Sequence, residues 1–349
     1  MKRYLLFVSL TYSYSILRPI QEEIKKRGGE VAWFIEEPCP VLLQEGEIQL
    51  KTIKEVIEYN AIATYAPGNH IYDFFPGIKV EVFHGLYYKR TDYGDHYRIR
   101  GLFDLYCTTS SLFLPKFKEL EEKYGFFKVV HTGWSKFDGY FAYEETSTSN
   151  ENPVILYAPT FTTQFNSAVD LYDKIEEIIK TKNWVWVFSF HPKMDKELID
   201  KYKSLAEKYD NAIFSEEDNK IPLLKNANIM LSDTSSIIYE FLWLEKPVVT
   251  YKNSFPEKHL LDIDKPELLE ETVELALQYP TDLMKNIHDF MQIVHPYKDG
   301  KASARILDAT DDFIANYKGK IKKKPLNLFR KLKLRKKAGY FPFGSRYKN

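Results

Sequence analysis

The sequence has few cysteines that could bind a metal or form disulfides, and it has no long apolar run that could span a membrane. Its 349 residues include two cysteines, Cys39 and Cys107, too few for a disulfide framework or a structural zinc site. The longest apolar runs, residues 4–10 and 184–190, are far shorter than the ~18–20 residues that a membrane-spanning helix needs. No small-residue cleavage site follows the first run, so a signal peptide is not indicated. We therefore expect a cytoplasmic protein.

Several familiar catalytic patterns are also missing. The chain has no G-x-x-x-x-G-K-[ST] phosphate loop, no H-E-x-x-H metal motif and no G-x-S-x-G nucleophile elbow. Glycine-rich dinucleotide-binding spacing is absent after the first apolar run, where residues 9–15 read SLTYSYS. These absences argue against nicotinamide and flavin chemistry. No resident cofactor and no metal are expected.

The chain also lacks net charge, but this zero is an average over two unlike parts. Lys and Arg total 49, as do Asp and Glu, and thirteen of the basic residues follow Asp312, the last acidic one. Residues 1–312 therefore carry 36 basic and 49 acidic side chains. Charge blocks of this kind are typical of arms that meet an anionic surface. Residues 326–337 mix leucines with basic residues, as membrane-interface segments do, although a flexible solubilising tail has similar composition.

Short apolar runs alternate with segments of helical spacing along most of the chain. This alternation predicts an α/β fold with parallel sheets covered on both faces. The polar stretch at 144–153 indicates a boundary. We therefore expect two tandem Rossmann-like domains facing a cleft, residues 1–145 and 153–312, followed by a basic tail, residues 313–349. Ligands of such sheets bind beyond the carboxyl ends of the strands.

A cluster of hydroxyl residues follows a buried strand in the second predicted domain, where residues 228–251 read NIMLSDTSSIIYEFLWLEKPVVTY. Small hydroxyl residues at a helix start offer side-chain oxygens and free backbone N–H groups at the positive end of the helix dipole, which suits a phosphate. Simple helix capping by Asp233 and Thr234 is the competing interpretation. The candidate residues are Asp233, Thr234, Ser235 and Ser236.

Three further candidates also follow predicted strands. Thr160 comes after VILYAP and His191 after WVWVFSF, where a histidine can bond a phosphoryl oxygen. A lone histidine is more often a packing or surface residue, but Thr160, His191 and the hydroxyl cluster would converge on one sheet edge. In the first domain, His84 ends a strand and is the best candidate for a general base. Basic residues follow it and could hold a phosphorylated acceptor or form a solvated face: Lys89, Arg90, Arg98 and Arg100.

Together these segments resemble the CDP-glycerol glycerophosphotransferase family, whose members build teichoic acids and related polyol-phosphate polymers. The similarity runs from about residue 80 to 310, and its most specific part is the S-D-x-S-S helix start followed by K-P-V. The chain departs from the family pattern in having Leu86-Tyr87 where Thr-Pro is usual and Thr234 where Tyr is common. The matching segments are His84-Gly85, TGWSKFD with Gly133, Tyr157-Ala158-Pro159-Thr160, His191-Pro192, the stretch with Asp233, Ser235 and Ser236, and Asp299-Gly300-Lys301 with Ser303 and Arg305.

The resemblance implies a glycosyltransferase-B (GT-B) fold with the donor nucleotide held by the C-terminal domain. It implies attack of an acceptor hydroxyl on the β-phosphate of CDP-glycerol or another CDP-polyol, with CMP leaving. The acceptor would be lipid-linked or a phosphorylated glycan, and residues 318–337 would meet the anionic inner face of the cell membrane. By position, His84 would take the acceptor proton and His191 would bond the diphosphate. Thr160, Thr234, Ser235 and Ser236 would surround the donor, Asp233 would orient the loop or reach the ribose, and Ser303 and Arg305 would serve the donor from the last helix.

Two other functions fit parts of the pattern. A glycosyltransferase or a nucleotide-sugar 2-epimerase could use the same fold, for capsule or another surface polysaccharide. A nucleic-acid-binding protein could use the basic tail, but the acidic body and the lack of a recognisable nucleic-acid module disfavour it. No nucleic-acid partner is therefore expected.

Overall fold

Two parallel six-stranded sheets form the fold in the computed structural model, which describes residues 1–86, 97–143, 152–217 and 219–340. The predicted α/β class is confirmed. Lys89 and Arg90 of the predicted basic loop lie outside the described residues. Contacts divide the chain into a first unit, Met1–Ala142 with Pro296–Asn349, and a second unit, Tyr143–His295.

Each sheet belongs to one unit, and every pairing between its strands is parallel. The strands of the first are β1 (Arg3–Val8), β2 (Glu30–Ile35), β3 (Ala63–Ala66), β4 (Ile78–Glu81), β5 (Leu105–Thr108) and β6 (Lys128–His131). Those of the second are β7 (Val154–Tyr157), β8 (Val185–Phe188), β9 (Ala212–Phe214), β10 (Ile229–Ser232), β11 (Val248–Tyr251) and β12 (Leu261–Ile263).

Helices connect most of these strands, as parallel crossovers require. In chain order they are α1 (Ser13–Lys26), α2 (Ile53–Tyr59), α3 (Leu114–Tyr124), α4 (Asp138–Ala142), α5 (Tyr172–Thr181), α6 (Lys196–Lys208), α7 (Ile221–Asn226), α8 (Ile237–Trp243), α9 (Leu269–Leu277), α10 (Thr281–Val294), α11 (Ala302–Asp312) and α12 (Leu328–Lys337).

In the first sheet the strand order is β2-β1-β3-β4-β5-β6. Strand β1 is apolar along its length because both faces of the sheet are covered, and Leu5 and Phe7 pack into an aromatic-rich core with Phe75 and Phe117. The strand that follows β1 in sequence, β2, lies on one side of it, and β3 and the later strands lie on the other side, so the direction of the connections reverses between β1 and β3. Such a topological switch point leaves a crevice at the carboxyl ends of the strands, where open α/β sheets bind ligands.

In the second sheet the order is β12-β11-β10-β7-β8-β9, and its switch point lies between β7 and β10. Its core includes Tyr157 of β7, Trp186 of β8 and Tyr202 of α6, all fully buried. Helix α6 begins after Asp195, whose carboxylate accepts the N–H groups of Glu197 and Leu198 as an N-cap. The crevice between β7 and β10 is therefore the expected ligand position in this unit.

Helix α11 packs in the first unit, although the sequence pattern assigned residues 153–312 to the second domain. Tyr65 of β3 donates its hydroxyl to Thr310 Oγ1 at 3.1 Å, and Lys2 Nζ lies 2.7 Å from Asp311 Oδ1. The backbone N–H of Ser303 donates to Asp138 Oδ2 at 2.7 Å. These contacts to Lys2, Tyr65 and Asp138 of the first unit correct the predicted boundary, which periodicity along the sequence could not reveal.

The basic tail also packs against the first unit. Its charge pattern had instead predicted an arm that meets an anionic surface. Lys324 Nζ lies 2.7 Å from Asp104 Oδ2, and Arg335 Nη2 lies 2.7 Å from Asp73 Oδ2. Leu334 and Ala338 pack against the aromatic core. Among the residues that the structure describes, no helix is both long enough and apolar enough to cross a membrane.

Candidate active site

A cavity of about 460 Å³ opens at the switch point of the first sheet. Its walls come from the segments that follow β1, β2, β3 and β4, together with the end of α12. Tyr12, Glu36, Asn69, His84 and Lys337 each contribute to its lining. His84, the base predicted from the sequence, therefore lies in a pocket at the position where this type of sheet binds ligands.

The His84 ring is held in one orientation by two contacts. Its Nδ1 atom lies 2.9 Å from the carbonyl oxygen of Pro67, and its plane stacks on Tyr12 with ring centroids 4.9 Å apart. Phe83 adopts a left-handed conformation, with φ of 54°, in the turn that delivers His84 from β4. A carbonyl oxygen only accepts, so Nδ1 carries the hydrogen and the Nε2 of a neutral ring has the lone pair. His84 is thus arranged to accept a proton at Nε2.

Glu36, immediately after β2, organises the opposite wall of this cavity. Its carboxylate accepts hydrogen bonds from His70 Nε2 at 3.0 Å, from the Tyr72 hydroxyl and from Lys337 Nζ at 2.9 Å. Burial alone would raise the pKa of Glu36, but these donors outweigh burial and lower the pKa to about 2. Sequence reasoning missed Glu36 and Lys337. The position of Glu36 directly after a predicted strand was the signal in the sequence that could have identified it as a site residue.

In the second unit, the buried carboxylate of Asp233 joins the loops at the switch point. Oδ1 accepts the backbone N–H groups of Thr160 and Thr234, at 2.9 and 2.7 Å. Oδ2 accepts the backbone N–H and the hydroxyl of Ser167, at 3.1 and 2.9 Å. Burial raises the pKa of Asp233 although the four hydrogen bonds oppose that shift. With both oxygens used in this way, Asp233 orients the loop of residues 160–167, the first of the two roles expected for it.

His191 follows β8 at the same edge of the second sheet. Its Nδ1 accepts the backbone N–H of Lys193 at 3.0 Å, so in the neutral ring the hydrogen is on Nε2. The ring packs on Phe161, with centroids 4.4 Å apart, in the loop that Asp233 orients. Partial burial lowers the pKa of His191, and the positive charges of Lys193 and Lys220 lower it further. An uncharged Nε2–H donor with two nearby cations suits an anionic ligand.

The hydroxyl cluster divides into two parts. Thr234 Oγ1 accepts the backbone N–H of Ser254 at 3.1 Å and lies 3.2 Å from Ser254 Oγ, so it links two loops. Ser236 occupies the N-cap position of α8, yet no side-chain capping bond forms there. Ser236 is exposed and Ser235 is partly exposed.

Ser303 and Arg305, the last two predicted donor-site residues, belong to the first unit. The Arg305 guanidinium pairs with Asp299 and lies over the ring of Tyr297, 3.8 Å from its centroid. Tyr297 also contacts the ring of His131 at the end of β6. The structure thus places Thr160, His191 and residues 233–236 in the second unit and assigns Ser303 and Arg305 to the other. Within the described ranges, no three His, Cys, Asp or Glu side chains group as metal ligands.

Comparison with known proteins gives a family for part of the chain. Residues 127–260 match the family model described as CDP-Glycerol:Poly(glycerophosphate) glycerophosphotransferase. The teichoic acid glycerol-phosphate primase of Bacillus subtilis (strain 168) is 26% identical over 190 residues, which is 49% of this chain and 46% of the primase. The chain therefore matches about half the length of this curated relative. The match to residues 127–260 supports the family that the sequence motifs predicted.

Solved structures share the fold. A variant of the wall teichoic acid polymerase TagF soaked with CDPG has a TM-score of 0.62 and 16% identity, covering 89% of this chain and 88% of its own. A UDP-N-acetylglucosamine 2-epimerase has a TM-score of 0.64 and 16% identity, covering 93% and 98%. The two Rossmann-like sheets with their helices are thus a GT-B-like fold, as predicted.

Proposed function

We propose that the chain transfers glycerol phosphate, or a related polyol phosphate, from a CDP-activated donor to an acceptor in surface-polymer synthesis, because residues 127–260 match the CDP-glycerol glycerophosphotransferase family model and a teichoic acid glycerol-phosphate primase is similar to it. The acceptor oxygen forms a bond to the β-phosphorus. The bond from that phosphorus to the bridging oxygen breaks, and CMP leaves with the bridging oxygen. The proposed reaction uses no resident cofactor or metal.

The protonation pattern of His191 is the observation that carries this proposal. Its Nδ1 is occupied by the N–H of Lys193, which leaves Nε2–H to donate to a phosphoryl oxygen. Lys193 and Lys220 add positive charge around the ring. Phosphoryl transfer needs donors and cations that stabilise charge on the transferred group and the leaving group more than it needs covalent chemistry. We assign His191, with Ser235 and Ser236, to the donor diphosphate.

His84 supplies the complementary function toward the acceptor. Its Nε2 lone pair takes the proton of the attacking hydroxyl, which makes the oxygen a better nucleophile. The walls of the cavity that His84 lines include the polar residues Ser9, Asn69 and Glu37, and such groups bind hydroxyl-bearing ligands. An acceptor ending in a polyol or sugar fits this chemistry.

A donor screen tests the proposal. The protein is incubated with CDP-glycerol, CDP-ribitol, UDP-, GDP- and CMP-linked sugars, each with a glycerol phosphate-ended acceptor, and nucleotide release is measured. We expect CMP release from a CDP-polyol that depends on the acceptor. UDP release from a UDP-sugar alone would instead favour the second candidate, a sugar transferase. A 2-epimerase would release no nucleotide and would be detected as conversion of the UDP-sugar into its epimer. The epimerase-like fold is the supporting observation for this candidate.

We also propose that the basic tail binds the anionic inner face of the cell membrane, where a lipid-linked acceptor would be found. Phe329 is 92% exposed, and Leu328 and Leu332 on the same helix are exposed as well. Apolar side chains beside basic ones are suited to a membrane interface, and each Lys or Arg near an anionic leaflet contributes about 1 kcal/mol. Docking of Leu334 and Ala338 leaves these three side chains available.

A further inference from the structure

Helix α12 brings a cation into the cavity beside His84. Lys337 is the last residue of this helix, and its Nζ lies 2.9 Å from Glu36 Oε2. The Lys337 side chain is half exposed, at 50%, whereas that of Glu36 is 7% exposed. The ammonium therefore lies at the mouth of a pocket whose carboxylate lies deeper.

Tail anchoring does not account for this ion pair. Arg335 and Lys324 already hold the tail through their bridges to Asp73 and Asp104. The Leu334 side chain adds apolar packing against the aromatic core. These three contacts hold the tail without Lys337.

Satisfying Glu36 does not account for it either. The carboxylate already accepts from the buried Tyr72 and from His70, which lines the same cavity. An ammonium has three N–H donors, and the bond to Glu36 uses one of them. Glu36 thus fixes the position of Lys337 while two donors stay directed elsewhere.

We infer that Lys337 is a specificity-determining residue that binds the phosphate of the acceptor unit whose hydroxyl reaches His84. The inference rests on the proposed function, since a polyol-phosphate acceptor carries a phosphate and a free hydroxyl in its last unit. His84 and Lys337 line one cavity, so the hydroxyl of the last acceptor unit can meet His84 while its phosphate meets Lys337. Charge-assisted N–H···O bonds to phosphate are among the stronger hydrogen bonds in proteins. Glu36 is the positioning residue.

Two matched acceptor probes test this: a hexyl glycoside ending in glycerol phosphate and the same glycoside ending in glycerol. Steady-state CMP release with CDP-glycerol is measured for the wild type, Lys337→Met, Lys337→Arg and Lys336→Met. For Lys337→Met we expect the acceptor KM to rise about tenfold with the phosphate probe, the size of one lost charged hydrogen bond. The KM for the glycerol probe and for CDP-glycerol should not change. Lys337→Arg should restore much of the phosphate preference.

The neighbouring Lys336→Met removes the same charge from an exposed position of the same helix, and since the assay contains no membrane it should behave as the wild type. If Lys337→Met keeps the full preference for the phosphate probe, the inference is wrong while the transferase assignment stands. If the wild type releases no CMP with either probe, the proposed function fails. Calorimetric binding of both probes without donor then tests Lys337 separately, and equal phosphate-probe affinity in wild type and Lys337→Met overturns the inference.

Discussion

His84 donates its Nδ1–H to the carbonyl oxygen of Pro67, 2.9 Å away, and this contact determines which ring nitrogen is basic. His191 shows the opposite arrangement, because its Nδ1 accepts the N–H of Lys193. One histidine therefore offers a lone pair at Nε2 and the other offers a hydrogen at Nε2. This difference fits a base for the acceptor and a donor to the diphosphate.

Replacing His84 by Asn should reduce kcat by roughly 10²–10⁴, the usual contribution of a general base. The Asn side-chain amide can still donate to Pro67, so the turn is preserved while the Nε2 base is lost. CMP release at saturating CDP-glycerol is the measurement. His288→Asn is the control, since His288 pairs with Glu245 at an exposed position. A His84→Asn enzyme within threefold of the wild-type rate would contradict the assignment.

Replacing His191 by Ala should weaken CDP-glycerol binding by roughly ten- to a hundredfold, as loss of one hydrogen bond to a charged group costs ~1.5–3 kcal/mol. Gln places an amide N–H near the position of Nε2, so His191→Gln should recover part of this loss. Donor affinity by calorimetry distinguishes the two variants. Equal weakening by Ala and Gln would argue that ring packing on Phe161, and not the Nε2 donor, is what matters.

Asp233→Asn should destabilise the second unit by about 1–3 kcal/mol and raise the KM for the donor. In Asn, an amide NH2 takes the place of one carboxylate oxygen and cannot accept a hydrogen bond. The buried backbone N–H and hydroxyl of Ser167 then lose their acceptor. Urea unfolding measures the stability change. Asp195→Asn is the matched control, because Asn caps a helix about as well as Asp and should leave both values unchanged. Equal effects at the two positions would refute the loop-orienting role.

Glu81 on β4 should make the stability of the folded protein depend on pH. Burial raises the pKa of Glu81 to about 8, with the charge of Arg100 opposing it. The folded state then keeps a proton that the unfolded chain loses near pH 4.5, so stability falls as pH rises from 4.5 to 8. Glu81→Gln should remove this fall and be more stable than the wild type in urea at pH 8.5, but not at pH 4. Glu119→Gln, at an exposed position, should show the same dependence of stability on pH as the wild type. If Glu81→Gln also shows that dependence, the raised pKa of Glu81 is disproved.

The double variant Phe329→Ser/Leu332→Ser should lose most binding to vesicles with 30% anionic lipid, measured by co-sedimentation. The two side chains are 92% and 53% exposed, so the substitutions should not change the melting temperature. Val169→Ser/Ile293→Ser removes two exposed apolar side chains, 68% and 58% exposed, from the second unit and serves as the control. Unchanged sedimentation of the tail variant would show that α12 does not contact the membrane.

Local patterns were sufficient to predict the α/β class and the strand ends at which His84 and His191 lie. Apolar strands and polar residues after them are visible over a few positions. The remaining features depend on partners far apart in sequence: Asp233 bonds Ser167, and Glu36 bonds Lys337. Periodicity contains no information on such pairs. For the same reason, the charge block at the C-terminus predicted an arm where the structure has a docked helix.

The return of residues 296–312 to the first unit sets an order for folding during synthesis. The second unit is one continuous segment, Tyr143–His295, and all of its strands are available once that segment has left the ribosome. The first unit, by contrast, joins Lys2 and Tyr65 to residues 310 and 311. Its β-sheet is made early, but its packing with α11 is completed only after translation has passed Asp312, when the inserted unit already has its full sequence.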